Sequence, residues 1–430
     1  MGELVYPIPE FSLPPRLTFM IISSPQTVTS GTTVCVQVSV ALETPFSLLP
    51  DEFVLWYELP AEYASVVSSD RGDAFVVALL FLAMRLHEDI RIDAPVSARL
   101  AQGLKEHQRV FTTWFPELRV ATLRHNGYAP EVQTATGTGS FFSGGIDSFF
   151  TLQSHLDEQE PNPDYRITHS LYLDGFDTHE LRTDAYDESL EAFKSLLAGL
   201  GVDLIPIRTN LKEFINEDTT GFIRSYGSIL LSNALLMQGL LRRCYVPSGL
   251  TYGEEVYDYE GSHPLTDHLF STETLEVIHD GAWATRVEKT LALASWPATY
   301  DHLYVCFGRG KGSGLENCSR CEKCIRTMIA LKLAGTLDQY TTFPEPLERR
   351  HIRGWHMPYF KVTECFAREL YNLAKRQGDI EVAHDLRLML LNHQVRFSRL
   401  GQLLRRLFVL PAKRSAWISS MYYRLRGTGA

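Results

Sequence analysis

The sequence predicts an α/β protein centred on a doubly wound, mostly parallel sheet. Three observations predict it. From about Thr134, short apolar runs alternate with helical patterns; two glycines stand between the first such run and the first helix; and four cysteines crowd together near the far end of the stretch. That alternation implies parallel strands covered by helices on both faces. Residues 134–342 therefore read as the central domain, preceded by an α+β domain (1–133) and followed by a helical, basic extension (343–430).

In the first domain, Leu17 to Ile22 and Val34 to Val40 are rich in β-branched residues. The second run alternates Val34, Val36, Val38 and Val40, as a half-buried strand does, and Ser30-Gly31 supplies a turn between the two. Phe75–Leu86 and Ala98–Val110 read as helices. In the central domain, Phe141-Phe142 ends a strand and Asp147–Leu156 is a helix. Ser170–Leu173 and Val202–Ile207 are strands flanking a helix over Tyr186–Leu200. A helix over Ser225–Leu241 leads to a strand at Cys244–Val246. Glu288–Ala294 reads as a helix, and Leu303–Cys306 as a strand running into the cysteines. Trp283 and Trp296 are expected in the core, and Asp267, His268 and Glu273 as solvated loop groups.

A formal net charge of -10 disfavours a protein that lives on nucleic acid. The opening MGELVYPIPEF has neither a basic n-region nor an apolar core, so no signal peptide is expected. The apolar run Phe75–Met84 is about half of the ~20 residues that span a bilayer. The expected location is cytoplasmic, with no membrane association. The tail is basic from Arg396 onward, with Arg399, Arg405, Arg406, Lys413, Arg414, Arg424 and Arg426. It reads as a solvated helical face or as a docking surface for an acidic partner, RNA or anionic lipid.

The informative stretch is Phe142-Ser143-Gly144-Gly145-Ile146-Asp147-Ser148. Glycines let a strand-to-helix turn bring backbone N–H groups close to an anion, and the following helix adds the positive end of its dipole. Ser143 and Ser148 can donate to phosphate oxygens. Asp147 would repel bare phosphate, so its natural role is to hold Mg²⁺ there. No lysine follows the second glycine, which excludes a Walker loop. Cys306, Cys318, Cys321 and Cys324 supply four thiolates, enough for a closed, structural zinc site; four cysteines also suit an iron–sulfur cluster. Of the seven cysteines, Cys35, Cys244 and Cys365 lie apart from this group.

The Ser-Gly-Gly-x-Asp-Ser stretch matches the signature of the PP-loop ATP pyrophosphatases, of adenine nucleotide alpha hydrolase-like fold. Joined to the later cysteines, it resembles the 7-cyano-7-deazaguanine synthases (the QueC family) from about Gly139 to Ala330. Leu173-Asp174 with His179 is similar to a family segment ending the second strand. Ser248-Gly249 resembles the turn after the fourth, and Thr285-Arg286-Val287-Glu288 stands where the family begins a helix with Ser-Lys-Ala-Glu. The resemblance implies that ATP is cleaved between its α and β phosphates with Mg²⁺, and that a carboxylate, 7-carboxy-7-deazaguanine or a related acid, is adenylated. Ammonia or an amine, which could belong to a protein, then displaces AMP. It further implies Ser143, Asp147, Ser148 and Arg286 in catalysis. Phe142 to Ser148, Leu173, Asp174, His179 and Gly249 would contact the nucleotide.

This chain departs from the family at His263-Pro264-Leu265-Thr266-Asp267, and it lacks the Gln-Arg that precedes the family's histidine at the His179 position. Relatives of this kind also occur in antiviral defence gene clusters. Arg309 and Lys311, before the cysteines, could reach phosphate. A homodimer, a PP-loop enzyme that thiolates tRNA, an amide-forming ligase and a non-catalytic nucleotide-binding partner protein stay open.

Overall fold

The computed structural model describes residues 18–130, 135–174, 183–255, 259–306, 315–355 and 361–397. The chain begins with β1 (Phe19–Ile22), β2 (Gln26–Ser30), β3 (Thr33–Leu42) and β4 (Glu52–Pro60). In β3, Val34, Val36, Val38 and Val40 are buried while their neighbours are not, the period of two expected of one covered face. α1 (Asp73–Leu86), β5 (Asp89–Ile92), α2 (Ala98–Trp114) and β6 (Leu123–Arg124) follow. α1 is apolar all round, and every residue from Asp73 to Met84 is buried.

The central stretch runs β7 (Gly137–Phe141), α3 (Ile146–Ser154), β8 (His169–Leu173), α4 (Thr183–Gly199) and β9 (Asp203–Thr209). α5 (Leu211–Phe214), α6 (Phe222–Leu236), β10 (Leu241–Pro247), α7 (Tyr252–Glu255) and β11 (Glu276–Asp280) come next. The last helices are α8 (Arg286–Leu293), α9 (Glu322–Ala334), α10 (Arg349–Gly354), α11 (Lys361–Gln377) and α12 (Ile380–Phe397).

The strands form one mostly parallel sheet in the order β11-β10-β7-β8-β9-β4-β3-β1-β5-β6, with β2 added on β3. From β11 to β9 every pair is parallel. Numbered by chain order within this run, the strands lie 3-2-1-4-5, so the order reverses beside β7. In open α/β sheets such a reversal leaves a ligand crevice at the carboxyl ends of the strands. β4 joins β9 antiparallel through Tyr57↔Thr209 and Glu58↔Arg208, so strands on both sides of residue 133 belong to one sheet.

In the central stretch, two strand readings differ from expectation. Leu303–Cys306 is not a strand. The amides of Val305 and Cys306 donate to Asn317 Oδ1 at 2.9 and 3.1 Å, and that of Tyr304 to the Gly144 carbonyl at 2.8 Å, so a side chain and a loop replace a strand partner. β11 is a strand that its sequence, EVIHD, does not announce.

Among the described residues the chain forms two compact units: 18–130, 135–143, 151–174, 193–255 and 259–282 in the first, and 144–150, 183–192, 283–306, 315–355 and 361–397 in the second. The core of the first joins β3 and β4 to α1 and α6. Tyr57 is fully buried there and satisfies its hydroxyl on Ser232 at 2.9 Å. Asp267, expected in solvent, is also fully buried, accepting from Ser262 Oγ at 2.7 Å and from the His263 amide at 3.0 Å, with His279 Nδ1 at 2.8 Å. Of its sequence neighbours, His268 is exposed and Glu273 accepts from the Arg99 amide at 2.8 Å.

His107 is fully buried among Phe81, Phe111 and Phe270, at ring distances of 5.7, 4.5 and 4.5 Å, with no hydrogen-bond partner for either ring nitrogen among the described residues. Burial pulls its pKa from 6.5 down to about 3. The unfolded chain therefore takes up a proton below about pH 6.5 that the folded chain refuses until about pH 3. Stability from this group is present above pH 6.5 and is lost as pH falls through that window. At pH 5 the loss is about 2 kcal/mol relative to pH 7. His107→Leu is expected to flatten that acid limb by the same amount, measured by denaturant unfolding at pH 7 and pH 5.

The core of the second unit is built by α8 to α12, with Ile325, Ile329, Ile352, Trp355, Leu370 and Leu386 at its centre. Asp385, fully buried on α12, accepts from Arg349 at 2.7 and 3.1 Å and from Arg353 at 2.6 Å, which locks α10 to α12. Trp283, expected in the core, is 69% exposed, with the Phe150 ring 5.4 Å away. Trp296 is half-buried, with the Phe149 ring edge-on at 6.0 Å. The Arg396 side chain and residues 398–430, which carry the basic tail, lie outside the described residues. No helix among those described is long and apolar enough to cross a membrane.

Candidate functional site

The Gly-Gly loop directly follows β7 along the chain. Phe142 continues that strand, its amide donating to the Leu171 carbonyl at 2.9 Å and its ring meeting Phe193 edge-on. Ser143 is exposed. Gly144 has φ +73°, a left-handed conformation that favours glycine, and its carbonyl accepts from Tyr304. The Gly145 carbonyl accepts from Ser148 Oγ at 3.1 Å and from the Phe149 amide at 3.0 Å, closing the first turn of α3. Ile146 is buried and Asp147 half-buried.

Asp147 meets two cations from α8. Arg286 Nη2 lies 2.5 Å from its Oδ2, and Lys289 Nζ lies 3.6 Å from its Oδ1. The start of α8 is fixed by a capping box between Thr285 and Glu288. Arg286 and Lys289 are three apart, so they share one helical face. Positive charges in the first turn oppose the helix dipole, and Lys289 is only 1% exposed. Neither cation is there to stabilise α8; Asp147 provides the counter-charge that a buried ammonium requires. Oδ1 of Asp147 is buried and makes no hydrogen bond among the described residues. The Lys289 ammonium faces it at 3.6 Å, and a carboxylate oxygen is of the kind that also suits a hard cation. Arg326, on α9, completes the cluster. Its Nη1 bonds Glu322 at 2.9 Å, and burial, then the neighbouring Arg286 charge, pulls its pKa down to about 10, still cationic at neutral pH.

The four cysteine sulfurs lie within 4.8 Å of one another. Cys321 Sγ is 3.4 Å from that of Cys324 and 4.0 Å from that of Cys306, and Cys318 to Cys324 is 3.9 Å. Four sulfurs at ~2.3 Å around one tetrahedral ion stand about 3.8 Å apart, so the set fits a single metal ion. A multi-iron cluster would spread them further. The free thiols conflict: hydrogen bonds with its three neighbours pull the Cys306 thiol down, and the same contacts push Cys324 up. A bound cation resolves the conflict by taking all four as thiolates.

Two features shape this knuckle. Ser319 adopts φ 56°, turning the chain so that the Cys321 amide donates to Cys318 Sγ at 3.2 Å. Asn317, fully buried, holds the Val305 and Cys306 amides and donates to the Leu303 carbonyl at 2.8 Å. Asn317→Ala would leave those buried groups without a partner, and is expected to destabilise the metal-loaded protein by about 3 kcal/mol, measured by chemical denaturation with metal content monitored.

In the first unit, Leu173 ends β8. Asp174 follows it, its carboxylate 3.0 Å from Arg208 Nε. Gly249 lies just past β10 between Ser248 and Leu250, where Ser248 Oγ donates to the Leu250 carbonyl at 2.6 Å. Asp280, at the end of β11, accepts from Thr151 Oγ1 at 2.7 Å. His179, Arg309 and Lys311 lie outside the described residues. The sequence reading does not reach Lys289, Arg326 or Asn317. Of these, only Lys289 carries a signal, its spacing of three from Arg286. No family model, curated protein or solved structure matches the chain.

Proposed function

We propose that the chain is a PP-loop ATP pyrophosphatase, similar to the QueC family, that adenylates a carboxylic acid and couples it to a nitrogen nucleophile. The observation that carries this reading is Asp147, set behind the Gly-Gly loop with Arg286 and Lys289 gathered on it. The reversal of strand order beside β7 supports it, as does a four-cysteine group suited to structural zinc.

In this reading a carboxylate oxygen attacks the α phosphorus of ATP, and the bond to the bridging oxygen breaks as pyrophosphate leaves. The amine then attacks the acyl carbon, AMP departs with the carboxylate oxygen, and solvent takes the amine proton. Asp147 would hold Mg²⁺ through Oδ1, an ion that neutralises phosphate charge when bound. Arg286 and Lys289 bring two fixed positive charges to the loop, where charge grows on the leaving pyrophosphate. Backbone N–H groups at the start of α3 add to them.

Cys244 weighs against sulfur transfer to tRNA. It is the one spare thiol in the central stretch, yet it is fully buried, and burial pushes its pKa up, which makes a poor nucleophile. The test is to incubate the protein with ATP, Mg²⁺ and 7-carboxy-7-deazaguanine, with and without ammonia. AMP and pyrophosphate that depend on the acid are expected, and the product mass identifies nitrile, amide or conjugate. ADP, or AMP formed equally without the acid, would sink the deazapurine assignment.

A further inference from the structure

In the first unit, one face of the sheet formed by β1, β3, β4 and β5 packs on α1 and α6, and most residues of the other face are half-buried or exposed. A sheet with antiparallel strands often leaves one face to water; what marks this one is its charge order. The pairing register lines up one row across five strands: Arg124, Arg91, Ile21, Ala41 and Glu52. Two positive charges, two apolar residues and one negative charge follow one another. Arg91 and Arg124 are direct cross-strand neighbours, which costs stability between like charges. Their guanidinium carbons lie 4.2 and 4.8 Å from the centre of the Phe19 ring. Neither arginine, nor Glu52, forms an ion pair among the described residues, and all three are exposed. Ile21 between them is 37% exposed. β1 and β2 both flank β3 on the edge away from β4, so a second apolar pair, Val28 (50% exposed) beside Cys35, lies further along the same column.

Such a row is complementary to itself. A second copy, given half a turn about an axis along the strands between β1 and β3, sets its Glu52 over Arg91 and its Ala41 over Ile21. The same turn brings its Cys35 over Val28. A twofold axis across the strands would set arginine on arginine, so charge selects the first arrangement. β3 and β4 pair from Thr33↔Pro60 to Ala41↔Glu52, so the face runs about 27 Å along the strands and about 19 Å from β6 to β4. That is on the order of 500 Å² in projection, and side-chain relief brings it near the ~800 Å² that each partner gives to a standard interface. A nucleic acid would gain from the two arginines but would meet Glu52 and Glu58 on the same face.

We propose that this face joins two copies of the chain in a symmetric dimer, with Arg91 and Arg124 of each protomer against the partner's Glu52. The Gly-Gly loop has no residue on this face, so the dimer stands or falls independently of the proposed adenylation.

The experiment is sedimentation equilibrium of the full chain over roughly 1 to 100 μM. It compares the parent, the double variant Arg91→Glu, Arg124→Glu, the single variant Glu52→Arg, and an equimolar mixture of the two variants. The parent is expected to dimerise within that range, and less so at high salt. Each variant alone should dimerise at least about tenfold more weakly, because like charges then meet at both ends of the row. The mixture should recover most of the parental affinity, since every such contact again joins opposite charges. Circular dichroism reports folding. If the arginine variant does not fold, Glu52→Arg carries the test, as Glu52 is exposed and holds no ion-pair partner among the described residues. A parent that stays monomeric throughout, a dimer indifferent to Glu52→Arg, or a mixture no tighter than its folded components overturns the proposal.

Discussion

Cys324→Ser is expected to strip the metal from the chain and unfold the segment that the four cysteines tie together. Cys324 is fully buried at the first turn of α9, and a serine hydroxyl there replaces a thiolate with a poor ligand. Structural zinc contributes roughly 10 kcal/mol of apparent folding free energy in small sites. Metal analysis should fall from one ion per chain to near zero, and proteolysis should cut between Cys306 and Cys321. Chelation of the parent at neutral pH should reproduce the effect. Because binding requires deprotonated thiols, acid should release the metal too, with affinity falling as pH falls. A variant that keeps one tightly held ion would show that the cysteines are not its ligands.

The second large effect is at Asp147. Asp147→Ala is expected to lower acid-dependent AMP formation by roughly a thousandfold, because it removes both the hard-cation ligand and the group that orients Arg286. It also takes the Asp147 charge from beside the buried Lys289, and breaking a buried pair costs about 3 kcal/mol or more. Activity must therefore be taken per folded molecule. The double variant Asp147→Asn, Lys289→Met separates the two effects: it removes both charges, and should recover stability while activity stays lost. Recovery of activity in the double variant would mean that Asp147 acts only as a counter-ion for Lys289.

What the sequence reveals here depends on how far apart the cooperating residues lie. The Gly-Gly loop and the Cys318, Cys321 and Cys324 spacing are contiguous, and each carries its chemistry within a few residues. The strands of the parallel run were visible wherever apolar residues crowd, as in β9 and β10. β11 was not, because Glu276, His279 and Asp280 give it no apolar run. The pairing of β4 with β9 leaves no local trace, so the first 133 residues read as a separate domain although they extend the same sheet. Leu303–Cys306 has the composition of a strand, but Asn317 answers its amides first. Asp267 looks like a loop acid until Ser262, the His263 amide and His279 close around it. Lys289 and Arg326 take on meaning only once α8 and α9 place them near Asp147 and Phe366.

The most direct test of the central claim follows one oxygen atom. In adenylation of a carboxylate, the oxygen bound to phosphorus leaves with AMP when nitrogen displaces it. The acid should be prepared with ¹⁸O in its carboxylate and incubated with the protein, ATP, Mg²⁺ and ammonia, and the AMP weighed by mass spectrometry. One ¹⁸O atom in each AMP, with pyrophosphate in equal amount, is the predicted result. Unlabelled AMP would mean that water, not the acid, attacks the α phosphorus, and ADP with labelled phosphate would place the cleavage between β and γ; either contradicts the account.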